Sequence, residues 1–358
     1  MSISPLDVSV SFDPYFGEPG RDGDPRADIL PDGKVRFRIP AKDAKEVCID
    51  QFGSVTPLSL QEDGYWEGIA DLGRGFKYFF LKIDGADVLC PYFPIGYGCC
   101  RPMNFVDVPV EGEDWDRLDP AIPHGAVTRH YYPSSVTGKM EICLVYTPPC
   151  YDAAKKYPVL YLQHGYGENE TGWIYQGHAG RIADLLLSEN RMKDMLIVMG
   201  NGMTKKEGSD DRSLFTRVIT EDLIPFIESR YPVLTDREHR AMAGLSMGSY
   251  QTSIVTMSHP ELFAYAGIFS GFMRFPRAGA PEKHLAILDE REKFNESFRV
   301  FYRAMGTEDP FFSSFTADDE MLKDKGLNIC RRLFPGGHDW SVWRRCIHDF
   351  LPLLFRED

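Results

Sequence analysis

The sequence has no uninterrupted run of about 18 apolar residues, the length that a membrane-spanning helix needs. It has no Cys-x-x-Cys pair and no His-x-His or His-Glu-x-x-His spacing, so it carries no motif typical of a metal site. Its 40 basic and 53 acidic residues give a net charge of −13, which repels the phosphates of nucleic acids and anionic lipids. We therefore expect no metal, cofactor, nucleic acid or membrane partner, and a homo-oligomer is left open.

The eight cysteines form no regular framework, and several lie in apolar runs. Buried free thiols in a reducing compartment are the favoured interpretation, with a redox role for the adjacent Cys99 and Cys100 as the alternative. The first residues, MSISPLDVSVSFDP, lack the basic and apolar parts of a secretory signal. We expect a cytoplasmic location, or a secreted one if the chain is a trimmed mature form.

Residues 1–112 show the pattern of an all-β module. GKVRFRIP (33–40) and KYFFLKID (77–84) alternate apolar and polar side chains, and Gly, Pro and Asp separate such runs. Short alternating strands with this punctuation predict a small β-sandwich. Residues 113–125 are acidic and contain proline, and we interpret them as a linker.

Residues 126–358 show a different pattern. Nearly continuous apolar runs, YPVLYLQHG (157–165), MLIVMGN (195–201) and RAMAGLS (240–246), alternate with segments of helical spacing such as HAGRIADLLLSEN (178–190). Strands that are apolar on both faces and alternate with helices predict an α/β domain, in which helices flank a mostly parallel sheet.

Gly244-x-Ser246-x-Gly248 lies between a predicted buried strand and a predicted helix. In this context the pattern is typical of a nucleophile elbow, a tight turn that presents the serine hydroxyl at the helix N-terminus. The Met247 N–H would there donate to a developing oxyanion. The alternative is a serine that only caps the helix.

A serine nucleophile needs a base, which follows both the serine and the acid in hydrolases of this kind. The candidates are the four histidines after Ser246, namely His259, His284, His338 and His348. His338 is favoured because FPGGHDW directly follows the last predicted strand and its glycines let the loop fold back over the sheet edge.

The acid is expected on the loop after the preceding strand. FRVFYRAMG (298–306) ends in Thr-Glu-Asp-Pro, so Glu308 and Asp309 are both candidates, and Asp309 is favoured. A solvated acidic turn is the alternative. Asp339 ranks last because it is adjacent to His338 in the sequence.

A second oxyanion donor is expected from the loop after an earlier central strand. HGYGENETGW (164–173) follows such a strand, and the Tyr166 N–H is our choice within it. His164 is interpreted as a structural residue that orients this loop. The alternative is a glycine-rich turn without a role.

Five ordered motifs resemble carbohydrate esterase family one, especially its feruloyl esterase and acetyl-xylan esterase branch. They are YTPPCYDAAKKYPVLYLQHGYGENETGW, TDREHRAMAGLSMGSYQT, HPELFAYAGIFSG, GTEDP and GGHDWSVWRRCIHDFLPLLF. The N-terminal pattern is similar, more weakly, to the Ig-like, glycogen-binding-type modules that often precede such esterases. The family commonly has glycine where this chain has Ser249.

The resemblance implies an α/β-hydrolase fold and a serine esterase that removes feruloyl or acetyl groups from plant cell-wall polysaccharide or its oligosaccharides. The family's triad falls on Ser246, Asp309 and His338, and its oxyanion donors fall on Tyr166 and Met247.

Aromatic and amide side chains supply the first candidates for substrate contacts. They are Trp173, Gln251 and Trp340 for the acyl ester, with a packing role as the alternative for Trp340. In the N-terminal module, Trp66, Tyr78 and Tyr92 could stack on sugar, but core packing is favoured. The segment 91–105 could instead shape the acyl pocket.

Other functions remain as alternatives. A siderophore esterase of the enterobactin type would need basic residues to hold a trianionic iron complex, which the acidic composition disfavours. An S-formylglutathione hydrolase usually lacks the front module. A non-enzymatic carbohydrate-binding protein with an inactive hydrolase fold is disfavoured by the full set of three candidate catalytic residues.

Overall fold

The computed structural model describes residues 26–90, 93–206, 214–271, 273–274 and 282–356. The chain divides into two compact units, Met1–Asp119 and Pro120–Asp358. This division falls within residues 113–125, the segment predicted as a linker. Among the described residues, no helix has the length and apolar character to cross a membrane.

The first unit contains two antiparallel sheets in its described part. One sheet has the strand order β1-β2-β6-β5, and the other has β4-β3-β7-β10-β9, with β8 paired to β7. The strands are β1 Arg26–Ile29, β2 Val35–Pro40, β3 Val47–Gln51, β4 Ser54–Pro57, β5 Ser59–Leu60, β6 Tyr65–Ala70, β7 Gly75–Ile83, β8 Ala86–Val88, β9 Ile95–Gly98 and β10 Arg101–Val108.

Alternate residues of both sheets meet in one apolar core. Phe37 of β2 and Phe79 of β7 come from different sheets, and their rings contact edge to face at a centroid distance of 5.1 Å. Burial of one face of each sheet is what the period-two pattern of the sequence predicts. The predicted β-sandwich is confirmed.

The aromatic residues considered for sugar stacking have structural roles where they are described. Trp66 is buried in the sandwich core, and its indole N–H donates to the Ala41 carbonyl. Tyr78 is half-buried and donates its hydroxyl to the Tyr97 carbonyl. Tyr92 lies outside the described residues.

The second unit is built on an eight-stranded sheet with the order β11-β12-β14-β13-β15-β16-β17-β18. β11 and β12 are antiparallel to their neighbours, and the other six strands are parallel. The strands are β11 Ala126–Pro133, β12 Met140–Thr147, β13 Val159–Gln163, β14 Leu196–Gly200, β15 Arg240–Leu245, β16 Tyr265–Phe269, β17 Val300–Gly306 and β18 Ile329–Phe334. The predicted mostly parallel sheet is confirmed.

Helices connect these strands, as parallel pairing requires. They are α1 Gly172–Tyr175, α2 Ala179–Ser188, α3 Leu214–Arg217, α4 Ile224–Arg230, α5 Met247–Ser258, α6 Arg291–Ser297, α7 Phe312–Leu322 and α8 Trp340–Phe350. A π-helical stretch, Val218–Leu223, joins α3 to α4, and Pro225 is the second residue of α4. The helical backbone thus continues through Pro225, with the wider π-helical turns immediately before α4.

The parallel strands direct the candidate site residues to one edge of the sheet. The loops after β13, β15, β17 and β18 carry the candidate donor, nucleophile, acid and base in that order. Because the carboxyl ends of parallel strands lie at the same edge, these loops meet although they are far apart in the sequence.

Candidate active site

Ser246 lies in a sharp turn between β15 and α5. Its backbone has φ 49° and ψ −114°, a conformation that non-glycine residues rarely adopt. A Cβ added at Gly244 would lie 2.5 Å from the Gly248 carbonyl oxygen, and one added at Gly248 would lie 2.5 Å from the His164 carbonyl oxygen. Both flanking glycines are therefore required by close backbone approach. The Ser246 side chain makes no capping hydrogen bond to α5, so the helix-cap alternative does not describe it.

His338 reaches Ser246 from the loop after β18. Its Nε2 lies 2.9 Å from Ser246 Oγ, and its Nδ1 lies 2.8 Å from Asp309 Oδ2. Because a carboxylate only accepts hydrogen bonds, the proton belongs on Nδ1, and Nε2 is left to accept from the serine hydroxyl. The structure thus brings the three predicted residues into one hydrogen-bonded chain.

Asp309, rather than Glu308, is the carboxylate beside the histidine. The Asp309 side chain is buried, whereas Glu308 is exposed. A Cβ at Gly306 would lie 2.3 Å from the Gly336 carbonyl oxygen, so the loops that carry acid and base approach each other closely at this glycine. Asp339 has a separate role, because its side chain accepts from two backbone N–H groups and caps α8.

The surroundings of Asp309 favour its ionised form. Burial by itself raises the pKa of this carboxyl, but the hydrogen bond and charge of His338 and the Phe311 N–H outweigh it, and the pKa lies below its ordinary value. The Phe311 N–H donates to Oδ1 at 2.9 Å, which leaves Oδ2 for the imidazole. Asp309 is therefore charged at neutral pH and can stabilise an imidazolium.

Two aromatic rings that the sequence reasoning missed hold the imidazole. Phe311 and Trp343 each contact His338 edge to face, at centroid distances of 5.1 and 5.2 Å. Phe311 keeps 40% of its surface exposed, whereas Trp343 is buried. The proximity of Phe311 to the acid in sequence was the available signal.

The other candidate histidines have different partners. His259 Nδ1 lies 3.0 Å from a Glu261 carboxylate oxygen, and His284 Nε2 lies 2.9 Å from the Met273 carbonyl oxygen. His348 lies within α8 rather than on a loop at the sheet edge.

The loop after β13 lies against Ser246, as the predicted oxyanion hole requires. A Cβ added at Gly165 would lie 3.5 Å from Ser246 Cβ. Met247 is the first residue of α5, so its N–H has no acceptor within the helix. In the described part of the chain, neither the Met247 N–H nor the Tyr166 N–H has a protein acceptor. Both donors are therefore available to a ligand.

Two of the three residues suggested as substrate contacts, Trp173 and Trp340, are not arranged for that role. Trp173 and Trp340 are each only 1% exposed, and they pack edge to face at a centroid distance of 5.2 Å. The Trp173 indole N–H donates to the Gln163 carbonyl. This burial contradicts the interpretation of both tryptophans as substrate contacts and agrees with the packing alternative given for Trp340. Gln251 is partly buried, and its Nε2 donates to the Gly202 carbonyl at 2.8 Å.

Ser249 is accommodated inside the elbow. It is fully buried, and its hydroxyl donates to the Ser246 carbonyl at 2.5 Å. A Cβ at Gly271 would lie 3.0 Å from Ser249 Oγ, so the serine side chain fills the space in front of that glycine. The elbow therefore keeps its geometry with serine at this position.

Glu168 is a half-buried residue of this loop that the sequence reasoning did not single out. Burial raises its pKa to about 8, against the opposing hydrogen bond from the Gly165 N–H and the nearby Trp340 indole. The folded protein thus holds a proton that the unfolded chain loses near pH 4.5. The contribution of the Glu168 carboxyl to the free energy of unfolding must therefore fall as pH rises from about 4.5 to about 8.

Replacing Glu168 by glutamine removes this titration and keeps a neutral acceptor. We expect the melting temperature of Glu168→Gln minus that of the unmodified protein to be larger at pH 9 than at pH 5. The expected change is at least about 2–4 °C, the shift that 1 kcal/mol produces in a domain of this size. Thermal unfolding across this pH range measures it, and a pH-independent difference between the two proteins would contradict the raised pKa.

Comparison with known proteins bears on the family of this chain. The family model named Esterase matches residues 134–354. The endo-1,4-beta-xylanase/feruloyl esterase of Xylanibacter ruminicola is 33% identical over an alignment of 343 positions, and the match covers 91% of this chain and 45% of that protein. This chain therefore spans less than half the length of that relative.

Solved structures show the same fold. A ferulic acid esterase from Anaeromyces mucronatus, in complex with ferulic acid, is 25% identical with a TM-score of 0.60, and the match covers 68% of this chain and 95% of that one. The enterobactin esterase from Shigella flexneri is 15% identical with a TM-score of 0.68, and the match covers 92% and 96% of the two chains. The α/β-hydrolase fold predicted from the sequence is confirmed, and since the family model matches more than half of the chain, this protein belongs to the Esterase family.

Proposed function

We propose that this protein is a serine carboxylic-ester hydrolase that removes hydroxycinnamoyl groups, feruloyl above all, from plant cell-wall polysaccharide or its oligosaccharides. The observation that carries the proposal is the chain of two short contacts, 2.9 Å from Ser246 Oγ to His338 Nε2 and 2.8 Å from His338 Nδ1 to Asp309 Oδ2. A hydroxyl that can lose its proton to an oriented imidazole is an activated nucleophile.

Acylation begins when Ser246 Oγ attacks the ester carbonyl carbon and its proton moves to His338 Nε2. Asp309 keeps the Nδ1 proton in its hydrogen bond and stabilises the imidazolium. The Tyr166 and Met247 N–H groups donate to the oxygen that becomes negative. The bond to the leaving alcohol then breaks, and the alcohol oxygen takes the proton from His338.

Deacylation repeats these steps with water. A water molecule loses a proton to His338 and attacks the acyl-enzyme carbonyl, again with the oxyanion on the two N–H groups. The bond to Ser246 Oγ breaks, the serine regains a proton from His338, and the carboxylic acid leaves. The residues named here supply every proton transfer in the cycle.

Two observations support an aromatic acyl group. Phe311, whose ring contacts the His338 imidazole, is 40% exposed to solvent. Tyr166, on the loop proposed to supply an oxyanion donor, is 69% exposed. The exposed Phe311 ring beside the imidazole offers stacking and apolar contact to a planar acyl group, and the exposed Tyr166 lies on a loop that approaches Ser246. The 33% identical relative is described as a xylanase/feruloyl esterase, which favours the same substrate class.

The acetyl-xylan and enterobactin-type alternatives are weaker. An acetyl group would make no use of the exposed rings. The likeness to the enterobactin esterase, at 15% identity, bears on the fold alone, and the net charge of −13 disfavours a trianionic iron complex.

A substrate panel tests the proposed acyl preference. We expect kcat/KM for methyl ferulate and methyl sinapate to exceed that for acetylated xylan by at least about tenfold, a difference of about 1.4 kcal/mol in transition-state binding. Enterobactin is included in the panel, and release of each carboxylic acid is measured by chromatography. Equal or greater activity on acetylated xylan or enterobactin would refute the preference for hydroxycinnamoyl esters.

A further inference from the structure

The two peptide groups that flank Gly165 are each held by a side chain. The Gly165 N–H donates to Glu168 Oε2 at 2.9 Å, and the Gly165 carbonyl lies 2.8 Å from His164 Nδ1. In a planar trans peptide, the carbonyl of one residue and the N–H of the next point in opposite directions. A contact that fixes the Gly165 carbonyl therefore also fixes the direction of the Tyr166 N–H.

The partners of His164 determine where its proton lies. Its Nε2 accepts the Gly202 N–H at 2.8 Å, so the ring proton is on Nδ1 and donates to the Gly165 carbonyl. Burial lowers the pKa of His164 to about 4, which keeps the ring neutral and this arrangement intact at neutral pH.

The contacts continue to the helix that carries the other oxyanion donor. The Gly202 carbonyl accepts from Gln251 Nε2 at 2.8 Å, and Gln251 lies one helical turn after Met247 in α5. A Cβ at Gly202 would lie 3.3 Å from Met247 Cε, so the loop after β14 packs directly on that residue. Hydrogen bonds thus connect the Gly165 carbonyl, through His164 and Gly202, to Gln251 of α5.

We propose that Glu168, His164 and Gln251 are positioning residues that hold the Tyr166 and Met247 N–H groups in place as a preformed oxyanion hole. The inference rests on the proposed function, because it assigns these residues to the same hydrolytic site. It also assigns Gln251 a role different from substrate contact. Donors that are already oriented need no rearrangement as the transition state forms, which is the source of their catalytic effect.

Glu168 and Gln251 lie at the two ends of this set of contacts, and they are the residues to replace. His164 is fully buried, so its replacement risks misfolding. In Glu168→Ala the Gly165 N–H loses its acceptor, and in Gln251→Leu the Gly202 carbonyl loses its donor. We expect each change to lower kcat for p-nitrophenyl acetate by about 10–100-fold, less than the 10²–10³ that loss of a whole oxyanion donor costs. KM should stay within about threefold, since the ground state gains little from the oxyanion hole.

Two further measurements separate positioning from a general structural effect. A trifluoromethyl ketone, which forms a tetrahedral oxyanion adduct on the serine, should lose affinity in the same proportion as kcat/KM falls. Glu168→Gln retains an acceptor and should recover most of the activity that Glu168→Ala loses. Glu189→Ala, at an exposed helix end, serves as the control for surface changes.

Several outcomes would overturn the inference. These are unchanged kcat in both variants, reduced kcat with unchanged ketone affinity, failure of Glu168→Gln to recover activity, and a raised KM with normal kcat in Gln251→Leu. Normal p-nitrophenyl acetate turnover without hydrolysis of feruloyl esters would refute the acyl preference and leave the positioning test intact. A chain that neither turns over any ester nor reacts with a fluorophosphonate would refute both proposals.

Discussion

Replacing Ser246 by alanine is expected to lower ester hydrolysis by at least about 10⁴-fold. Without the hydroxyl, His338 has no nucleophile to deprotonate, and only unassisted attack by water remains. Loss of a nucleophile is the largest effect of a single substitution that we expect in this site. It should appear in kcat for both p-nitrophenyl acetate and methyl ferulate, and fluorophosphonate labelling should disappear.

The fold should survive this substitution. Alanine has the same Cβ as serine, so the unfavourable φ of 49° is neither relieved nor worsened. The melting temperature is therefore expected to change little, and thermal unfolding of the variant checks it. Ser188→Ala, at the exposed end of α2, is the matched control and should keep full activity. Turnover by Ser246→Ala near that of the unmodified protein would remove the nucleophile assignment and the proposed function with it.

The second large effect is expected for Asp309→Asn, at about 10⁴-fold in kcat. The Phe311 N–H donates to Oδ1, so the asparagine oxygen should remain at that position and its NH₂ group should face His338. Nδ1 must then accept a hydrogen bond, and the ring proton moves to Nε2. A protonated Nε2 cannot take the proton of Ser246, so the base is disabled without any change of shape.

The neighbouring carboxylate supplies the comparison. Glu308 is exposed, and Glu308→Gln should change kcat by less than about twofold. Both variants are assayed side by side with p-nitrophenyl acetate from pH 5 to 9, with melting temperatures measured in parallel. A larger loss in Glu308→Gln than in Asp309→Asn would identify Glu308 as the acid instead and would contradict the arrangement of the two side chains.

Much of the fold could be predicted because hydrophobic periodicity is local. The central strands β13, β14 and β15 are continuous apolar runs since both of their faces are covered by helices. The edge strand β11 was not predicted, because most of its side chains are exposed and its sequence has no apolar period.

The substrate contacts could not be predicted, because sequence position near a catalytic residue does not determine which way a side chain points. Trp340 follows His338 by two residues and is nevertheless buried against Trp173. Gln251 lies one turn beyond the nucleophile, yet its amide is directed to the Gly202 carbonyl. Glu168 carries no motif that marks it, and only its contact with the Gly165 N–H reveals its position.

The sequence by itself determined the strand-turn-helix at Ser246 and the short motifs that carry the candidate acid and base, because each of these motifs consists of residues close together in the chain. Only the tertiary structure decided between Glu308 and Asp309, since one is turned to solvent and the other into the loop that carries His338. The tertiary structure also decided the orientation of the oxyanion donors. It depends on contacts between loops that follow different strands, and these loops meet only when the parallel sheet aligns their carboxyl ends.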